Sequence, residues 1–337
     1  MTDLSTRYLG LNLKNPFVPS SSPLTGKVDS ALRLQDAGAA GIVMPSLFEE
    51  KIEQEHALLD RFLDEQSLGH GEATSFRPIP AEYKSSEDQY LETLQQLKCA
   101  LDIPVIASLN GVTAGGWLEC ALAIQDAGAD ALELNVYYVP GDSSETATAV
   151  EQRYLDIATA LQPRVKIPVT VKLSSQFSAP LDFIRKLEQT GVQGVCLFNR
   201  FYQPDIDLET LAMVPKLDLS SSIESLLRVR WAGMLHGHTS CNIAVTGGFH
   251  TAADALKALL VGADVVHLCS ALLLQGPQLI ETLLADMQRW LEEKEYTSVS
   301  QLRGSLSCRH APNPADYARA NYIDVLDSYT VPDGVKF

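Results

Sequence analysis

Lys172 lies in the apolar run IPVTVKLS, from Ile167 to Ser174. Burying an ammonium in such a run costs several kcal/mol unless a charge or an electron-rich ligand meets it. Glu133, in the separate run ALELN, is one counter-charge within reach of a neighbouring strand, and a ligand at the strand end is another. The amine could also act as a Schiff-base nucleophile toward a carbonyl substrate. A second feature is TGGFHTAADAL, from Thr246 to Leu256, where a Gly-Gly turn leads into a helix start. Backbone N–H groups in such a turn approach an anion closely, and the helix dipole adds to the attraction. With the Ser270 hydroxyl one loop later, phosphate is the ligand this pattern favours.

Metal chemistry is poorly supported. The six cysteines (Cys99, Cys120, Cys196, Cys241, Cys269 and Cys308) include no CxxC pair, which argues against a zinc ribbon or a cysteine-held iron–sulfur cluster. Cys196 and Cys269 stand in apolar runs, as small buried hydrophobes do. His236 and His238, near Cys241, have no accompanying carboxylate and read as rim residues. No metal is expected.

The elements that must position these residues repeat along the chain. An amphipathic helix, a glycine stop and a short apolar strand appear as LQDAGAAGIVM (from Leu34) and IQDAGADALELN (from Ile124). Looser copies begin at Leu187 and Leu259. Glycine at the helix end adopts the left-handed conformation cheaply, and the chain turns into the strand. Strand candidates begin at Phe17, Gly41, Pro104, Ala131, Pro168, Gly194, Asn242 and Val265. They are apolar without clean alternation, as strands buried on both faces are, and helical segments separate nearly all of them. Eight such units predict a TIM (β/α)8 barrel, with a long loop after the second strand, from about Glu49 to Lys84. The domain expectation is a barrel over residues 1–296. Residues 297–337 form a C-terminal extension that packs on the barrel or on a partner subunit.

In such a barrel, polar residues at the strand C-termini face the active-site mouth. Here these are Ser20, Ser21 and Ser22, then Ser108 and Asn110, Asn135, Lys172 and Ser174, Asn199, Gly247 and Gly248, and Ser270. Acidic residues outnumber basic ones, 42 to 26, for a net charge of -16. That surface repels phosphate backbones and anionic lipid, so neither nucleic acid nor membrane is an expected partner. No apolar run reaches the ~20 residues of a membrane span, and the start lacks a signal-peptide pattern. A cytoplasmic enzyme is expected.

The chain resembles the dihydroorotate dehydrogenase family of FMN barrels over nearly its whole length to about Met287. The stretches that carry the resemblance are NPFVPSSSPLTG near the start, ALELNVYYVPGD, IPVTVKLS, and AVTGGFHTAADALKALLVGADVVHLCSALL. The resemblance implies that Gly247, Gly248 and Ser270 hold the FMN phosphate. It implies that Lys172 meets the flavin N1/C2 edge, that Asn135 contacts flavin and substrate, and that the protein is a homodimer. Ser20, Ser21, Ser22 and Asn110 join the cofactor set, and Asn199 the substrate set. Three departures stand out. The loop after the fourth strand reads Asn135-Val-Tyr-Tyr-Val-Pro-Gly-Asp, without the family's Cys or Ser base. Tyr138 could replace it only with a pKa well below its ordinary ~10, and Ser143 only if the loop folds back. Met44-Pro45-Ser46 stands where the family keeps a lysine after the second strand, and the Asn-rich loop that grips orotate is not recognisable between Glu49 and Lys84.

The implied activity is oxidation of dihydroorotate, or a related small anionic or pyrimidine-like CH–CH substrate, by hydride transfer to flavin N5. The electron acceptor is left open. The alternatives are a flavin-free lyase or aldolase using Lys172 as Schiff-base nucleophile, and a catalytically degenerate barrel retained as a binding protein.

Overall fold

The computed structural model describes residues 2–55, 57–58, 84–111, 116–200, 202–317 and 321–330. Strands β1 (Thr6–Tyr8) and β2 (Leu11–Leu13) form an antiparallel hairpin. The eight predicted barrel strands follow, the first six being β3 (Phe17–Pro19), β4 (Ile42–Phe48), β5 (Val105–Asn110), β6 (Ala131–Asn135), β7 (Val169–Leu173) and β8 (Gly194–Leu197). A short hairpin, β9 (Asp205–Asp207) and β10 (Ala212–Val214), interrupts the series before β11 (Asn242–Thr246) and β12 (Val265–Leu268) complete it. The eight barrel strands pair in parallel in the order β3-β12-β11-β8-β7-β6-β5-β4, with β3 and β4 at the two ends of the sheet. The Ala40 N–H donates to the Phe17 carbonyl at 3.0 Å and ties the entrance of β4 to β3. The result is a TIM barrel.

Helices α1 (Val28–Asp36), α2 (Ser86–Ala100), α3 (Gly116–Asp126), α4 (Ala147–Leu161), α5 (Pro180–Gln189), α6 (Ser225–Leu235) and α7 (Ala252–Val261) return the chain between strands. After β12 come the short α8 (Ser270–Gln275) and the outer α9 (Leu279–Glu293). The glycine stops behave as expected: Gly38 and Gly128, just past α1 and α3, have φ of +102° and +96°. No helix among the described residues is long and apolar enough to cross a membrane.

Two apolar layers hold the barrel. Outward-facing strand residues such as Phe17, Ile42, Met44, Leu132 and Val171 pack under the helices. Inward-facing Val18, Val43, Ile106, Ala131, Ala244 and Val265 pack with Tyr8, Leu9 and Leu13, so the β1–β2 hairpin plugs the N-terminal end. Full burial of side chains of this size contributes about 1.5–3 kcal/mol each. With that end closed, the C-terminal mouth is the end left for a ligand.

Two expectations need correction. The second barrel strand runs on to Phe48 through a register irregularity between Val43 and Ser46. The irregular loop expected from Glu49 begins as helix over residues 49–55, where helix-favouring Glu, Lys and Gln surround an Ile52 that packs on the core. Residues 59–83 of that segment lie outside the described residues. In the tail, Val299 and Leu302 are buried and Tyr317 packs over Gly233, whereas Tyr322 and Tyr329 are exposed.

Candidate active site

Strand register builds the mouth. Asn110 pairs with Asn135 across β5 and β6, and Asn135 with Lys172 across β6 and β7, so three polar side chains share one level at the strand ends. Asn199, just past β8, donates its backbone N–H to the Leu173 carbonyl at 2.7 Å. Its Nδ2 donates to Asn135 Oδ1 at 2.6 Å. One cleft at this end is lined by Ser20, Ser21, Ser22, Lys172, Asn199, Gly247 and Ser270. Asn135 joins that set through Asn199, and Asn110 stands one register position further round. Arg200, Ser220, Thr246 and Cys269 also line the cleft, and the sequence reading had not assigned them to it.

Beneath the cleft the barrel interior is polar. Lys172 Nζ lies 3.5 Å from Glu133 Oε1, and both residues are buried. Burial pulls the lysine pKa down, but the acidic groups around it, Glu133 first and then Cys196 and Cys269, together outweigh burial and the net shift is upward. Lys172 is therefore a cation, and its amine carries no free lone pair. Glu133 Oε2 lies 3.7 Å from His267 Nδ1, and Cys196 Sγ lies 3.6 Å from the same nitrogen. Burial pushes His267 down to about 4, so it is neutral near pH 7. Glu133, Cys196 and His267 bring potential ligand atoms within 4.8 Å of one another. A cation among them would sit beside the Lys172 ammonium. These three residues come from three strands, so no sequence spacing could have grouped them.

The Gly-Gly turn follows β11, two strands round the barrel from β7. Gly247 and Gly248 have φ of +88° and +92°. A Cβ on Gly248 would stand 2.4 Å from the Ser225 backbone nitrogen, which restricts the position to glycine. The Gly248 N–H donates to Ser220 Oγ and the Ser220 N–H to Ser270 Oγ, each at 3.1 Å. The start of α7 differs from expectation, because Asp254 already accepts the backbone N–H groups of His250 and Thr251 at 3.1 and 3.0 Å. A carboxylate there also repels an anion. The helix end is thus already capped by a carboxylate, whereas the turn and its serines face the cleft.

Behind the turn lies Arg228, a residue the sequence reading missed. A polar side chain inside a helix carries no sign that it faces inward, yet Arg228 is only 5% exposed.

The loop after β6 is arranged differently from the expectation. The Tyr138 hydroxyl donates to Glu145 Oε2 at 2.6 Å, and Arg153 pairs with Glu145 at 3.0 Å while lying 4.1 Å over the Tyr138 ring. The hydrogen bond to Glu145 raises the Tyr138 pKa, which is the wrong direction for a base. Ser143 is exposed on the same loop. Neither residue is among those lining the cleft.

The family model described as dihydroorotate dehydrogenase matches residues 81–291, a span that includes β5 through β12. The catalytic subunit of dihydroorotate dehydrogenase B (NAD(+)) from Thermoplasma acidophilum is 25% identical over 312 residues, covering 90% of this chain and 99% of the relative. NAD-dependent dihydropyrimidine dehydrogenase subunit PreA of Escherichia coli is 22% identical over 323 residues, 90% of this chain and 76% of its own. The chloroplastic dihydropyrimidine dehydrogenase (NADP(+)) of Arabidopsis thaliana is 23% identical over 328 residues, with the same two coverages.

Proposed function

This chain belongs to the dihydroorotate dehydrogenase family of oxidoreductases acting on CH–CH donors, and from that premise we propose that it oxidises dihydroorotate or a closely related dihydropyrimidine with FMN as its cofactor. The observation that carries this reading is the union in one cleft of a cation and a carboxamide, Lys172 and Asn199, with a serine–glycine corner, Ser20 to Ser22, Gly247 and Ser270.

The donor set fits FMN. Hydroxyls and a glycine turn suit its phosphate, and a lysine with carboxamides suits the carbonyl and imide edge of its ring. Ser20, Ser21, Ser22, Gly247, Gly248 and Ser270 would hold the cofactor, with Asn110 and Asn135 at the ring. When bound, FMN supplies the hydride acceptor at N5. Lys172, kept protonated beside Glu133, would meet the ring's carbonyl edge with a positive charge. Asn135 and Asn199, locked to each other, orient the amide groups of the substrate. Tyr138 is tied to Glu145 and Ser143 is exposed, so neither is assigned the second proton. The Schiff-base alternative needs a neutral amine at position 172, and the upward shift of that lysine disfavours it.

The test is to identify the flavin released from the pure protein and then to mix the holoenzyme anaerobically with dihydroorotate and, separately, with 5,6-dihydrouracil. Bleaching of the visible flavin band by one of them is the expected result. A colourless protein that reconstitutes with no flavin would sink the cofactor claim. An FMN-replete protein that neither compound reduces would sink the substrate claim alone.

A further inference from the structure

Arg228 is a buried cation whose neighbours do not neutralise it. Its Nε donates to the Thr246 carbonyl and its Nη1 to the Glu224 carbonyl, both at 2.9 Å and both uncharged. The Glu224 carboxylate is engaged elsewhere, by Arg200 at 3.1 Å and by the Ser221 N–H at 3.2 Å. No carboxylate among the described residues lies within 4.0 Å of the Arg228 guanidinium. Taking a charge out of water costs several kcal/mol, and arginine cannot shed its proton to avoid that cost. Burial pushes its pKa below the ordinary arginine value, and Glu224 offsets this only in part.

The position of this charge is specific. Nη2 lies against Gly247, so that a Cβ built on that glycine would stand 3.0 Å from it. Thr246, whose carbonyl Arg228 holds, lines the cleft together with Gly247, Ser220 and Ser270. The guanidinium therefore backs a corner of the mouth where glycine backbone and two hydroxyls converge. In a chain of net charge -16, a buried cation at that corner with no paired carboxylate is a group an anionic ligand would neutralise.

We propose that Arg228 is an anion-binding residue of the cofactor site, supplying the positive charge that holds the FMN phosphate at the Gly247–Gly248 turn. The proposal rests on the FMN reading above and adds to it a residue from α6, outside the strand-end loops. It also gives Gly247 a second reason to be glycine, since any side chain there would press on the guanidinium.

Deflavinated protein titrated with FMN and with riboflavin, read by quenching of flavin fluorescence, tests this directly, because the two ligands share the ring and differ in the phosphate. Wild type should prefer FMN by about a hundredfold or more. Arg228→Gln should lower FMN affinity about 10- to 100-fold and leave riboflavin affinity unchanged. Arg228→Lys, which keeps the charge and loses the forked backbone bonds, should retain most of the preference. Inorganic phosphate should compete with FMN in wild type and lose that effect in R228Q. Equal losses for both flavins in R228Q, or an unchanged preference, would overturn the proposal. So would R228K losing the preference as completely as R228Q, since a tether and not a charge would then be the function. A wild-type protein that binds neither flavin would instead overturn the FMN reading itself.

Discussion

Lys172 and Glu133 meet in a part of the barrel sealed below by the β1–β2 hairpin, where each charge depends on the other. Breaking a buried pair by removing one partner costs about 3–5 kcal/mol, because the remaining charge is left without compensation. Lys172→Met and Glu133→Gln should each destabilise the protein by that order in urea unfolding. The double variant should lose clearly less than the two single losses added together. Its fold should be restored while its chemistry is not: if Lys172 has the role proposed for it, anaerobic flavin reduction should stay at least about a hundredfold slower than wild type, because the charge proposed for the flavin edge is gone. A double variant that reduces flavin at the wild-type rate would remove Lys172 from the mechanism. Lys172 was conspicuous in the sequence because an ionisable residue in an apolar run asks for an explanation. Arg228 was not, because helices routinely carry arginine on a solvated face.

At the scale of elements, the turn between β11 and α7 is tightly constrained by backbone. Alanine at position 248 would place its Cβ 2.4 Å from a backbone nitrogen, in a conformation (φ +92°) that costs a non-glycine residue about 1–3 kcal/mol. Gly248→Ala should displace the segment that enters α6, and with it Ser220. The purified variant should show a flavin-to-protein ratio near zero while its far-UV circular dichroism stays that of the wild-type barrel. Retention of the full flavin complement would mean that the cofactor does not use this turn. The repeated helix–glycine–strand unit was readable because each piece is set by near neighbours. The hairpins β1–β2 and β9–β10 were not, since three-residue strands are too short to show a period. The capping of α7 by Asp254 was legible in outline as Thr251-Ala-Ala-Asp254, and it competes with the anion role assigned to that helix start.

For the whole molecule, charge sets the terms on which redox partners approach. A net charge of -16 repels anionic acceptors and attracts cationic ones, and the effect fades as salt screens it. Stopped-flow reoxidation of the reduced protein should therefore be slower with ferricyanide than with a cationic acceptor of similar potential at low ionic strength. The two rates should converge at about 1 M salt, where the screening length falls to roughly 3 Å. Equal rates at low salt would show that local cations such as Arg200 at the mouth, and not the molecular charge, govern the encounter.

The barrel with its strand ends was legible in the amino-acid order because helix stops, apolar strands and glycine turns depend on interactions within a few residues. The same order placed Ser20, Lys172, Asn199, Gly247 and Ser270 at strand ends, and all five line one cleft. The partners of those residues required the folded chain. Glu133 reaches Lys172 from 39 residues away, and only the parallel register of β6 with β7 brings them together. Arg228 turns inward only because α6 packs across the end of β11. Tyr138 is held by Glu145 and Arg153 through a loop geometry that no local pattern specifies. Backbone conformation is decided locally, whereas the charge and protonation of a buried side chain are decided by whatever the fold sets against it.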